Sequence, residues 1–208
     1  MQSNGGSPGM DGITIERFAK DSLSRLLAVK EQIKTGTYQP KPVKRVWIEK
    51  PGSREKRPLG IPTVTDRIVQ TALRNVIEPI FEKDFAVQSY GFRPGRGCKD
   101  ALRRVDELLK EGRTWVVDAD IKAYFDTIPP RRRKGQAGVG GRASHDRLMK
   151  LVEKKIADGR VLELIRSYLK QGVMEAHQQS EGGESGTPQG AVISPLLANI
   201  YLRGGGGE

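Results

Sequence analysis

The stretch that most restricts what this chain can fold into is Trp115-Val116-Val117-Asp118-Ala119-Asp120-Ile121-Lys122-Ala123-Tyr124-Phe125-Asp126-Thr127-Ile128. Its apolar, β-branched opening predicts a buried strand, and the strand ends in carboxylates, where a side chain can face solvent and a metal while the backbone stays paired. Alternation sets Val116, Asp118 and Asp120 on one face and Val117 and Ala119 on the other. Asp120 is therefore the candidate metal ligand. A hard cation such as Mg²⁺ takes oxygen ligands in near-octahedral geometry, so Asp120 needs a partner acid from elsewhere in the fold. Phe125, five residues on, would stand beside whatever the metal binds, close enough for a flat ring to press on a sugar. A strand capped by ordinary surface acids is the competing account.

Charge points to the class of partner. Lys and Arg number 36 against 25 Asp and Glu, a net charge of +11 that makes nucleic acid the first partner to consider. Five of those basic residues, Arg131, Arg132, Arg133, Lys134 and Arg142, fall in 130–144, a Gly-rich tract without acids or apolar periodicity that reads as disordered. The single cysteine, Cys98, rules out an internal disulfide and a cysteine-rich zinc site. No apolar run approaches the ~20 residues of a membrane span, and the N-terminus lacks a signal region, so the expected setting is soluble and cytoplasmic, without a membrane partner.

Hydrophobic spacing predicts an amphipathic helix over 14–35, capped by Thr14 or Asp11, and a long helix over 66–82 capped by Asp66. Val43–Glu49 and Lys56–Ile61 read as the strands of a basic hairpin, either a phosphate clamp or an edge kept soluble by lysine. Ser89–Gly97 places Tyr, Phe and two Arg between glycines, a loop suited to packing or to nucleic acid. Further helices are predicted over 101–109, 146–157 and 160–171, with a short strand at 172–176. Ser194 as N-cap and Pro195 at the first helical position predict a helix beginning at Leu196.

These motifs carry a family resemblance. Asp120-Ile121-Lys122-Ala123-Tyr124-Phe125-Asp126 resembles the first catalytic motif of group II intron-encoded reverse transcriptases. Four further blocks match in order: Ser7–Gly12, Arg57–Pro62, Ser89–Arg96, and Gly186–Gly190 running into Ser194–Asn199. The resemblance implies an α+β fold, the fingers and partial palm of a right-hand polymerase, with an antiparallel sheet backed by helices. It implies Mg²⁺ as cofactor, held by Asp120 as the catalytic acid and by the backbone carbonyl of Ile121. Lys50 and Arg57 would grip the triphosphate of an incoming deoxynucleotide, Phe125 would be the steric gate against ribonucleotides, and Gln189 would lie beside the sugar. Arg93 and Arg96 would contact the template strand. The implied partners are an RNA template, a DNA primer, intron RNA and deoxynucleoside triphosphates.

The resemblance divides the chain into 1–88, fingers with an N-terminal extension; 89–129, the first part of the palm; 130–144, a basic insertion; 145–180, a return to the fingers; and 181–208, palm. In the family a Tyr-Ala-Asp-Asp strand turn supplies the partner carboxylates, and this chain ends before it, so the 208 residues alone are expected to be inactive. Two other readings stay open: a non-catalytic maturase-like module that binds intron RNA, and an inactive remnant of a truncated reading frame. The same blocks also fit a retron or defence relative.

Overall fold

A computed structural model describes residues 6–49, 52, 54, 56–119, 142–171, 173–175, 178–180 and 190–204. The elements in chain order are α1 (Ile15–Lys20), α2 (Ser22–Thr35), β1 (Val43–Glu49), β2 (Lys56–Ile61), α3 (Val64–Glu82), α4 (Cys98–Lys110), α5 (Arg142–Glu153), α6 (Gly159–Leu169), β3 (Val173–Glu175), β4 (Gln178–Ser180) and α7 (Ser194–Gly204). The strands form one sheet in the order β2-β1-β3-β4. β1 and β2 form the expected antiparallel hairpin, with Trp47 opposite Pro58 and Ile48 opposite Arg57. Pro58 is tolerated because β2 is an edge strand of this sheet. β3 pairs parallel to β1 and antiparallel to β4, bringing the segment after α6 back onto the hairpin.

The core is helical. Ile77 of α3, Leu148 and Val152 of α5, Ile165 of α6, and Leu197 of α7 with Ile193 just before it are fully or almost fully buried. Val29, Ile33 and Tyr38 pack against this cluster from the N-terminal side. The fold is α+β, as the motifs imply.

Several boundaries differ from the sequence expectations. The helix over 14–35 is two helices broken at Asp21, with Thr14 capping the first by accepting from the Arg17 N–H at 3.2 Å. Phe18 is buried, but Leu23, Leu26 and Leu27 are exposed, because the face of α2 that meets the core carries Val29 and Ile33. α3 begins at Val64, two residues before 66, because Thr63 is its cap: the Thr63 hydroxyl accepts from the Asp66 N–H at 3.1 Å and donates to the Asp66 carboxylate at 2.6 Å. Asp66 is therefore the third residue of α3, and its carboxylate and backbone N–H both bond the Thr63 hydroxyl. α5 starts at Arg142, inside the tract read as disordered.

The largest difference concerns the opening stretch. Residues 113–119 form no strand, and Trp115, Val116 and Val117 are 97%, 74% and 92% exposed. A strand exists only through a neighbour's ladder of hydrogen bonds, and no described strand pairs with this segment.

The core assignment predicts that Leu197→Ala will lower unfolding free energy by about 2–5 kcal/mol, the usual cost of emptying a buried leucine site. Leu23→Ala, at an exposed site, should change it by about 0.5 kcal/mol or less. Urea denaturation followed by circular dichroism checks both, and equal effects would contradict the assignment.

Candidate functional site

Three of the matched blocks meet where strand β2 runs into α3. Gly9 leaves no room for a side chain: a Cβ there would lie 2.6 Å from the Thr63 Cα and 2.7 Å from the Thr63 N. Arg67 holds the same N-terminal block by donating to the Ser7 carbonyl at 3.0 Å. On the other side, Gly190 has a φ of 109° and presses on β2, where a Cβ would lie 2.5 Å from the Gly60 carbonyl oxygen and 2.9 Å from the Leu59 side chain. Only glycine combines that backbone angle with that approach. Gly190, the described end of the Gly186–Gly190 block, therefore lies against the strand that carries Arg57.

The fourth block, Ser89–Arg96, is tied in from below. The Asn199 side-chain amide in α7 donates to the Gly91 carbonyl at 3.0 Å. Arg93 is turned inward: Nε donates to both carboxylate oxygens of Glu82 at 3.0 and 3.2 Å, and Nη2 donates to the same carboxylate at 2.7 Å. Its Nη1 donates to the carbonyls of Ala86 and Ser89 at 2.6 and 2.8 Å. With its side chain 3% exposed, Arg93 fastens the loop to the end of α3 and does not present its guanidinium outward. Arg96 is half-buried, donates to the Val87 carbonyl and lies over the Tyr90 ring. Phe92, not singled out from the sequence, is the loop's outward-facing group: it is 73% exposed and holds a left-handed φ of 55°, uncommon for a bulky residue. The Gly-Phe-Arg-Pro turn was the available signal, but only the fold shows which of its side chains faces out.

Arg57 lies in β2 as expected. Lys50, Asp120, Ile121, Phe125 and Gln189 lie outside the described residues. Their nearest described neighbours are Glu49 at the end of β1, Ala119, and Gly190. Asp118 is described and exposed. Among the described residues no group of three or more His, Cys, Asp or Glu side chains is placed to hold a metal ion, so a cation cage is not assembled from them. No described helix is long and apolar enough to cross a membrane. A separate groove of about 360 Å³ between α5 and α6, lined by His145, Lys150, Arg166 and Lys170 with Asp146 and Glu153, contains none of the expected site residues.

Beneath the site runs a buried polar network. The Tyr38 hydroxyl donates to Asp66 at 2.6 Å and lies 3.2 Å from the Tyr168 hydroxyl, joining the segment after α2, the start of α3 and the end of α6. Burial pushes the Asp66 carboxyl above its ordinary value, although the Thr63 and Tyr38 hydroxyls pull the other way. Burial also raises the Tyr38 and Tyr168 phenols.

The comparisons with known proteins fit this geometry. The family described as reverse transcriptase (RNA-dependent DNA polymerase) matches residues 48–136. Residues 48–136 thus belong to the reverse transcriptase family. It is 40% identical over 189 residues to the group II intron-encoded protein LtrA of Lactococcus lactis subsp. cremoris, a match covering 91% of this chain and 28% of that protein. It is 38% identical over 200 residues to protein YkfC of Escherichia coli K12, covering 94% of this chain and 48% of that one. The chain thus spans less than half the length of either relative. A solved structure described as a partial Cas6-RT-Cas1–Cas2 complex superposes with a TM-score of 0.52 at 26% identity, over 88% of this chain and 28% of that one.

Asp66 carries a signed pH prediction. Because its native pKa is raised, its contribution to stability is fully present below the ordinary aspartate value of 3.8 and is lost as pH rises through the native value. The stability of the native sequence relative to Asp66→Asn should therefore be greater at pH 3.5 than at pH 7. A difference in urea midpoint that does not change with pH would contradict the raised pKa.

Proposed function

We propose that this chain is the fingers and first part of the palm of a group II intron-type reverse transcriptase, an RNA-directed DNA polymerase. The observation that supports the reading is the approach of Gly190 to the Gly60 carbonyl, which brings the described end of the Gly186–Gly190 block to the strand that carries Arg57. Those two blocks are the ones expected to close on a nucleotide. In this reading 1–88 and 145–180 are fingers, consistent with the pairing of β3 on β1, while 89–129 and 181–208 belong to the palm and 130–144 is an insertion. The partners are an RNA template, a DNA primer, intron RNA and deoxynucleoside triphosphates, and the setting is the cytoplasm.

The roles follow from side-chain chemistry. Arg57 offers a planar fork of donors and Lys50 a point charge, a pair suited to a triphosphate. Phe125 excludes a 2′-hydroxyl by bulk, and Gln189 has both a donor and an acceptor for the sugar edge. Asp120 and the Ile121 carbonyl would hold Mg²⁺, which when bound stabilises charge on the attacking and leaving oxygens. Template contact falls to the outward groups of the 89–97 loop, Phe92 by stacking and Arg96 by charge, while Arg93 holds that loop in place.

The test restores the remaining polymerase part by fusing the corresponding region of the Lactococcus lactis relative after Leu202, with 130–144 deleted. The 208-residue chain alone should extend no primer, since one acid cannot hold the cations. The fusion should copy RNA with deoxynucleotides, and Asp120→Asn should abolish activity. Phe125→Ala should raise ribonucleotide incorporation while retaining polymerisation. An active fusion whose sugar selectivity is unchanged by Phe125→Ala would overturn the assignment.

A further inference from the structure

We propose that Trp47 is a stacking platform for an unpaired nucleobase, on the face of the β1–β2 hairpin that is turned away from the contact with Gly190. This rests on the reading that nucleic acid is the partner of the chain, and it adds a surface separate from the nucleotide pocket of that reading. Tryptophan is highly buried on average, yet Trp47 is 53% exposed. Its cross-strand neighbours explain why. Pro58 stands directly opposite, and the next rung on the same face pairs Arg45 with Gly60. Neither Pro58 nor Gly60 is large enough to cover an indole.

Leu59 identifies the face. Its side chain is the one that meets Gly190, and it stands opposite Val46. Successive side chains point to opposite sides of a strand, so Trp47, one residue on from Val46, looks away from that contact.

Charge selects the occupant. Arg45 precedes Trp47 by two residues on β1 and Lys56 precedes Pro58 by two on β2, so a cation lies on each side of the Trp47 rung, about 7 Å away along the strands. Lys56 is exposed; Arg45 is half-buried and carries a planar fork of five N–H donors. Glu49 shares the Lys56 rung, so the side toward Arg45 is the more positive and is where a phosphate sits. A flat ring flanked by cations serves single strands of any sequence, because every base has a π face to stack and every nucleotide a phosphate to pair. A net charge of +11 favours such a polyanion over an apolar protein surface. A duplex offers no open base face, because its bases are stacked on one another.

The chain has two tryptophans, so Trp115→Phe leaves Trp47 as the source of indole emission. Titration with an oligouridylate or an oligothymidylate should quench that emission saturably, and a blunt RNA duplex should not. The two single strands distinguish an RNA from a DNA source. Anisotropy of the dye-labelled strand should show binding weakened about tenfold in Trp47→Leu, which keeps apolar bulk without a π face, and far less in Trp47→Phe. Equal urea midpoints check that the variants fold, and the quenching of Trp47 itself needs no substitution at this position. Absence of saturable quenching by either single strand, or equal quenching by the duplex, would overturn the proposal. Binding by Trp47→Leu equal to that of the native chain, or equal losses in the Leu and Phe variants, would overturn it as well. Failure of the fusion enzyme to polymerise would instead count against the polymerase reading, and the quenching would still decide this surface.

Discussion

The contact on which the site depends is the approach of Gly190 to the Gly60 carbonyl. Two backbones can come this close only where neither carries a side chain in the gap, and at Gly190 the left-handed φ imposes the same requirement independently. Because β2 is held by its ladder to β1, and β1 in turn by β3, the position of Gly60 is set by the sheet. The 190 loop then inherits its position from that sheet on one side and from Gln70 on the other.

α3 does more than fill the core. Its apolar stripe buries Val69, Leu73, Ile77 and Phe81, and four of its polar residues are committed to other segments. Asp66 binds Tyr38, Gln70 binds the entrance to α7, Arg67 binds the N-terminal block, and Glu82 holds Arg93. Polar groups in a low-dielectric interior require geometry as well as contact, so these pairs specify how the surrounding segments are oriented, which apolar packing alone does less sharply. Removing the Gln70 carbonyl would leave the buried Ile193 N–H without that acceptor, a cost of about 1–3 kcal/mol.

Much of this was legible in the sequence, unevenly. The basic hairpin was readable because its two β-rich runs flank a Pro-Gly turn, and α3 was readable because its stripe is long and wide. The sequence offers both Thr63 and Asp66 at the start of α3, and only the fold shows that Thr63 is the cap. The strand expected at 115–119 failed because its apolar pattern describes what the segment can bury, and pairing needs a partner that no single segment encodes. Arg93 and Phe92 exchanged expectations for a similar reason: charge suggests an outward group, but Glu82, eleven residues earlier, captures the guanidinium, and a turn then exposes the ring. Gln70 gave no signal, since a lone Gln in an apolar stripe looks like tolerance until the two N–H groups it serves are seen.

The central claim is that the meeting of the Gly60 and Gly190 backbones shapes a deoxynucleotide pocket. The measurement that addresses it most directly is single-nucleotide incorporation by the fusion enzyme carrying Gly190→Ala. The added methyl meets the Gly60 carbonyl at 2.5 Å on a backbone with a φ of 109°. The account predicts that incorporation efficiency falls at least tenfold while retention on template RNA is unchanged. Incorporation equal to that of the unsubstituted enzyme would contradict it.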